Sequence, residues 1–115
     1  MGQAKYQLSY YADKTGKKPF REWFLALRDR VAMQRIAARL DRIVVGNPGD
    51  HKAVGAGVME LRIDHGPGYR VYYAHEGTQV VLLLLGGDKS TQRRDIETAK
   101  AYWQEHQERR HANHD

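Results

Sequence analysis

Two arginines stand on neighbouring alternating runs, where their side chains could act together. The run Val58-Met59-Glu60-Leu61-Arg62-Ile63-Asp64 puts Met59, Leu61 and Ile63 on one face and Glu60, Arg62 and Asp64 on the other, because strand side chains have period two. In the run from Tyr69 to His75, Tyr69, Val71 and Tyr73 oppose Arg70 and Tyr72. Between the runs, His65-Gly66-Pro67-Gly68 reads as a turn: proline pre-sets φ and glycine admits φ > 0. Directly paired residues share a face, so the two apolar sets must meet, which requires an odd number of loop residues. Either odd register sets Arg62 opposite Arg70 or one step diagonal to it, on the non-core face. Two guanidinium groups side by side repel each other, and a polyanion bound between them would explain the arrangement. Equally, both could face solvent and pair with Glu60 and Asp64. The strands alone leave these readings open.

The elements around the arginines follow from periodicity. A third run, Thr78 to Leu85, is apolar on both faces and suits a central strand covered on two sides. Glu76-Gly77 reads as a two-residue turn, which would pair Arg70 with Leu83 and Tyr72 with Val81. Gly86-Gly87-Asp88-Lys89-Ser90-Thr91 then forms an exit loop. A last helix is expected from about Gln92 to Arg110, with Ile96, Ala99 and Trp103 on one face, and His111 to Asp115 as a frayed tail.

Upstream, Tyr6 to Tyr11 reads as a strand, broken by Asp13-Lys14-Thr15-Gly16. A short helix begins with Pro19 in its first turn, and Phe20, Trp23, Phe24 and Leu27 form a core stripe. Asp29 is a plausible cap for a second helix, roughly Arg30 to Val45, burying Met33, Ile36, Leu40 and Ile43. Arg35, Arg39 and Arg42 line its opposite face as a solvated stripe that could still attract an anionic partner at long range. Gly46-Asn47-Pro48-Gly49 ends that helix, and Asp50 to Gly57 reads as a loop. The order strand, two helices, three antiparallel strands, helix implies an α+β fold, a single domain over residues 1–115. The early helices must cover the face carrying Leu61, Val71 and Tyr73.

Composition narrows the function classes. Nineteen basic against fourteen acidic residues give a net charge of +5, which favours acidic partners, nucleic acid or protein. There is no cysteine, so disulfides and thiolate metal sites are excluded. The start is polar and reads as no signal peptide. The longest apolar run, Val80 to Leu85, is too short to span a membrane, and a cytoplasmic protein is the default expectation.

The order of elements, the hairpin with Leu61-Arg62-Ile63-Asp64 and Gly68-Tyr69-Arg70-Val71-Tyr72-Tyr73, and the exit Leu84-Leu85-Gly86-Gly87-Asp88-Lys89-Ser90-Thr91-Gln92 resemble the RelE/ParE/HigB toxin superfamily, in particular its phage-derived "addiction module killer protein" branch. The similarity covers nearly the whole chain. It implies a type II toxin on a small antiparallel sheet, with two N-terminal helices on one face and a C-terminal helix. It also implies a cognate antitoxin encoded alongside. RelE-like members cleave mRNA at the ribosome without a metal, so no cofactor is expected. Carried over by position, the strand arginine of the Gly-Tyr-Arg motif is Arg70, the basic residue of the preceding strand is Arg62, and the basic residue of the exit is Lys89.

Such chemistry uses the neighbouring 2′-hydroxyl as nucleophile, so fixed cations must meet the charge that develops on phosphorus. Arg70 is assigned to the scissile phosphate, with Arg62 and Lys89 on flanking phosphates and Tyr72 and Lys52 as further RNA contacts. Two departures stand out: a strand lysine of RelE is Glu60 here, and the tyrosine some relatives carry early in the last helix falls near Asp95. Proton transfer is therefore expected from Glu60, His65, Asp88 or Tyr72, with His51 also in play because HigB-like relatives use histidines. The same resemblance admits a ParE-like, non-nuclease inhibitor of DNA gyrase, or an RNA-binding module that does not cleave. In either case an amphipathic, acidic antitoxin segment is expected to cover apolar residues beside the cations.

Overall fold

The computed structural model of the protein describes residues 3–114, so Met1, Gly2 and Asp115 lie outside the described residues. Strand β1 (Gln7–Tyr10) is followed by helices α1 (Pro19–Leu25) and α2 (Arg30–Val44). Strands β2 (His51–Gly55), β3 (Val58–Ile63), β4 (Tyr69–Glu76) and β5 (Val80–Asp88) come next, then a 3-10 turn (Lys89–Thr91) and helix α3 (Gln92–His114). The strands form one sheet in the order β1-β5-β4-β3-β2. β2 to β5 run antiparallel, while β1 joins β5 in parallel, so the fold is α+β with a mixed sheet rather than a purely antiparallel one.

Both faces of the sheet are covered. On one, Leu61, Ile63, Val71, Tyr73, Val81 and Leu83 pack with Phe20 of α1 and with Ile36, Leu40 and Ile43 of α2. This is the face the apolar alternation assigned to the early helices. Asp29 caps α2 as expected, its carboxylate accepting from the Ala32 N–H at 3.0 Å. On the other face, Val58, Tyr72, Ala74, Leu82 and Leu84 pack under Ala99 and Trp103 of α3, with Tyr11 alongside. Val81 and Leu83, the β5 residues expected beside the cations, lie in the α1/α2 layer instead, and the apolar residues that β5 does place on this face, Leu82 and Leu84, are covered by the chain's own last helix.

α3 continues to His114, past the expected end near Arg110. Side chains beyond its midpoint return to the body of the fold: Glu105 accepts from the Tyr11 hydroxyl at 2.6 Å, and Glu76 pairs with His106 and, at 3.1 Å, with Arg110.

Three segments read as loops or turns behave differently. Residues 51–55 form the edge strand β2, its register interrupted by a bulge between Ala53 and Gly55. The β4–β5 turn holds three residues, Gly77 to Gln79, since Glu76 pairs with Val80. A further bulge after Tyr72 then sets Tyr72 opposite Leu85 and Arg70 opposite Gly87. Neither matches the register that a two-residue turn dictates: the turn itself moves the pairing by three positions and the bulge by one more, and a bulge cannot be read from turn length.

The exit glycines belong to β5, and each face needs one of them. A Cβ on Gly86 would lie 2.0 Å from the Trp23 ring of α1, and a Cβ on Gly87 would lie 2.0 Å from Asp95 Oδ2 of α3. Neighbouring strand residues point to opposite faces, so two successive glycines let both layers approach.

Arg39 is not part of a solvated stripe. Its guanidinium donates to the Arg62 carbonyl at 2.5 Å, the Pro48 carbonyl at 2.8 Å and the Asp50 carbonyl at 3.0 Å. It thereby ties α2 and the approach to β2 onto β3 at the residue carrying the first site arginine.

Replacing Gly86 with alanine forces a methyl group into the indole of Trp23 and is expected to destabilise the fold by roughly 1–3 kcal/mol. Thermal unfolding followed by circular dichroism should show the midpoint falling by about 5 °C or more. An unchanged midpoint would refute the packing of α1 on β5.

Candidate nucleic-acid interface

The five-residue connection from Asp64 to Gly68 satisfies the odd-loop condition, and Arg62 and Arg70 stand directly opposite one another on β3 and β4. The carboxylate they share is Glu60, which is fully buried. Its Oε1 accepts from Arg62 Nε at 2.9 Å and lies 4.0 Å from Arg70 Nε. Its Oε2 accepts from the Tyr72 hydroxyl at 3.2 Å and from Gln92 Nε2, at the start of α3, at 2.8 Å. One buried anion is thus held by two cations on one oxygen and two neutral donors on the other.

The arginines differ in freedom. Arg70 is nearly enclosed, its side chain 12 % exposed, with Nη1 donating to the carbonyls of Gly68 at 3.0 Å and Tyr69 at 3.3 Å. Its Nε is buried without a hydrogen-bond partner. Arg62 is more open, its side chain 34 % exposed. Lys89 is exposed and lies beside Arg70: a methyl group placed on Gly68 would be 3.3 Å from Arg70 Nη1 and 3.4 Å from the Lys89 Cβ. Lys52, exposed on β2, is the direct strand partner of Glu60 and so shares its face. Three strands and the exit turn therefore bring Lys52, Arg62, Arg70 and Lys89 to one region of the surface, the two arginines on a single buried carboxylate, Lys52 on the neighbouring strand and Lys89 beside Arg70. Such a surface suits a chain of phosphates, which guanidinium forks recognise well.

The other expected site residues are placed elsewhere or engaged otherwise. Tyr72 is fully buried, so RNA cannot reach it, and its hydroxyl belongs to Glu60. Burial and the adjacent Glu60 carboxylate push that phenol well above its ordinary value, so it stays a proton donor to Glu60. Asp88 caps the 3-10 turn, accepting from the Ser90 N–H at 2.8 Å and the Ser90 hydroxyl at 2.5 Å, and is not paired with Arg70. His65 hydrogen-bonds Asp29 at 2.9 Å and stacks on Tyr69, so its partners belong to the α1/α2 face. His51 Nδ1 lies 2.7 Å from the Gly49 carbonyl, and its strand partner, Leu61, faces the α1/α2 core.

For Glu60, burial pushes the carboxyl up, but hydrogen bonds from Gln92, Arg62 and Tyr72 outweigh it and hold the group below the ordinary carboxylate value. An anion so engaged is a counter-ion, not a free base. Gln92, which the sequence places at the end of the exit motif and the start of the last helix, and Asp95, which stands where a tyrosine is missing, have no part in the site as read from the sequence. Asp95 is buried over Gly87, the residue across from Arg70, and accepts from the Thr91 hydroxyl at 2.5 Å. The one available signal was their place in the first turn of the last helix, just past the exit.

Because its folded-state pKa is depressed, Glu60 contributes stability that is present above the unfolded value, about 4.3. That contribution is lost as the pH falls through the lower, folded value. Glu60→Gln should therefore cost on the order of 2 kcal/mol at pH 7. The gap between the wild-type and variant unfolding free energies should shrink steadily on acidification. Denaturant titrations at several pH values check this, and a pH-independent gap would contradict the assignment.

A family model described as "Phage derived protein Gp49-like (DUF891)" matches residues 22–104. An uncharacterized protein of Haemophilus influenzae (strain ATCC 51907 / DSM 11121 / KW20 / Rd) is 49 % identical over 86 residues, covering 75 % of this chain and 87 % of that protein. The matched span of the family model runs from α1 to α3 and includes every residue around Glu60. The chain belongs to the phage-derived Gp49-like family, a family associated with toxin–antitoxin addiction modules.

Proposed function

We propose that the protein is the toxin of a type II toxin–antitoxin module and acts as a ribosome-dependent mRNA endonuclease. One observation carries this reading: Arg62 and Arg70 stand in register on a single buried carboxylate, with Lys89 beside Arg70. The cations outnumber the anion they share, so the face retains positive charge for a phosphate backbone. The family's association with addiction modules supports the same reading.

In this mechanism the 2′-oxygen attacks the adjacent phosphorus while the bond from phosphorus to the 5′-oxygen breaks. The products are a 2′,3′-cyclic phosphate and a 5′-hydroxyl. Arg70, oriented by the Gly68 and Tyr69 carbonyls, donates to the non-bridging oxygens as negative charge builds on them. Arg62 and Lys52 hold flanking phosphates. Water takes the proton of the 2′-hydroxyl, and the Lys89 ammonium supplies one to the leaving 5′-oxygen, which a guanidinium cannot do. Glu60 takes no proton: it fixes the arginines and offsets their mutual repulsion. The partners are mRNA on the ribosome and a cognate antitoxin whose acidic side chains would compete for the same cations.

Translation of a defined mRNA with the purified protein, followed by primer extension, tests this. Codon-spaced cuts leaving 5′-hydroxyl ends are expected. Arg70→Ala should slow cleavage by roughly 10²–10³-fold, the cost of one well-placed donor at a developing oxyanion, and Lys89→Met should slow it less. Intact mRNA beside inhibited DNA supercoiling would overturn the nuclease reading, as would full activity in Arg70→Ala.

A further inference from the structure

Gln92 joins the three cations nearest the proposed scissile phosphate, and the nuclease reading gives it no role. Its backbone N–H closes the 3-10 turn on the Lys89 carbonyl, and its side chain donates to Glu60 Oε2 at 2.8 Å. One residue therefore links the turn carrying Lys89 to the carboxylate that holds Arg62 and Arg70. The terminal torsion of a glutamate is soft and roughly two-fold. Glu60 keeps Oε1 toward the arginines only while Oε2 has partners of its own. Those partners are Tyr72, at 3.2 Å, and Gln92, by the shorter bond. Hydrogen bonds to an ionised oxygen are stronger than neutral ones. An amide adds no charge, so the surplus of positive charge is left intact.

We propose that Gln92 is a positioning residue: by anchoring Oε2 of Glu60 it sets the direction in which Arg62 and Arg70 present their remaining N–H groups to an RNA phosphate, and it keeps Lys89 in step with them. The inference rests on the reading of this face as an RNA-cleaving site. The charged and titratable groups around Glu60 are Lys52 from β2, Arg62 from β3, and Arg70 and Tyr72 from β4, with Asp95 of α3 acting on the Tyr72 phenol and Lys89 beside Arg70. A Gln92→Leu change keeps the bulk and removes the donor. Gln92→Glu sets a second carboxylate against the first.

Two measurements decide it. The first is a carbon-13 NMR titration of the Glu60 side-chain carboxyl in the free protein. Glu60 should titrate below the ordinary glutamate value in the wild type, higher in Gln92→Leu and higher still in Gln92→Glu. The second is cleavage on programmed ribosomes, with affinity for a 2′-O-methyl oligoribonucleotide measured in parallel. In Gln92→Leu the maximal cleavage rate should fall about tenfold, the effect of one hydrogen bond on the barrier. Affinity for the methylated RNA should change by less than about threefold, since loss confined to the transition state lowers kcat and spares binding. The acid-side fall in rate should also move to higher pH together with the Glu60 titration.

Wild-type rate and titration in both variants would overturn the proposal, as would a lowered thermal midpoint with the titration unmoved, since that is a structural effect alone. Should the wild-type protein not cleave, the nuclease reading falls by itself. The titration then still decides the tether: a shift upholds it and no shift refutes it.

Discussion

A carboxylate sealed from water between two guanidinium groups governs the basic face of this molecule. Moving an isolated anion out of water costs several kcal/mol, recovered only when its oxygens are fully engaged. Glu60 meets that condition with donors from its own strand, the next strand and the last helix. The arginines need it in return. Directly opposed like charges on a sheet destabilise the pairing, and Arg62 faces Arg70. The anion turns a repulsive pair into a fixed one and leaves part of each guanidinium for another ligand.

The rest of the fold serves this arrangement from two sides. Beneath the sheet, α1 and α2 supply an apolar layer that holds β3 and β4 rigid. Arg39 adds a polar clamp by reaching the carbonyl of Arg62. Above it, α3 covers the apolar half of the site face, and its first residue reaches Glu60. The glycine pair at the end of β5 makes both contacts feasible, with indole on one side and carboxylate on the other. No helix among the described residues is long and apolar enough to cross a membrane.

Much of this was legible in the residues. Alternation in Val58 to Asp64 and Tyr69 to His75 identified the two strands and their inward faces and limited Arg62 to a place opposite Arg70 or one step diagonal to it; the five-residue connection then made the pairing direct. The stripe from Phe20 and the cap at Asp29 located both early helices. The misreadings share a cause. His51 to Gly55 has too weak a pattern to signal a strand and is one because β3 offers it an edge. Gly86-Gly87 has low strand propensity, yet stays in the ladder because both packing layers require the missing side chains. Arg39 sits on a polar helix face and is claimed by carbonyls from other parts of the chain.

By itself, the sequence determined the secondary-structure grammar, the fold class and the presence of two arginines on a non-core face. Those properties depend on residues close together along the chain. Tertiary structure decided what the arginines lean on and which residues are left free. Gln92 reaches Glu60 across 32 positions, and Tyr72 is withdrawn from the surface by a helix that begins twenty residues later. Neither contact has a local pattern, because hydrogen-bond partners of a buried charge are selected by how layers pack, and the turn and the bulge between β4 and β5 together change which residues meet.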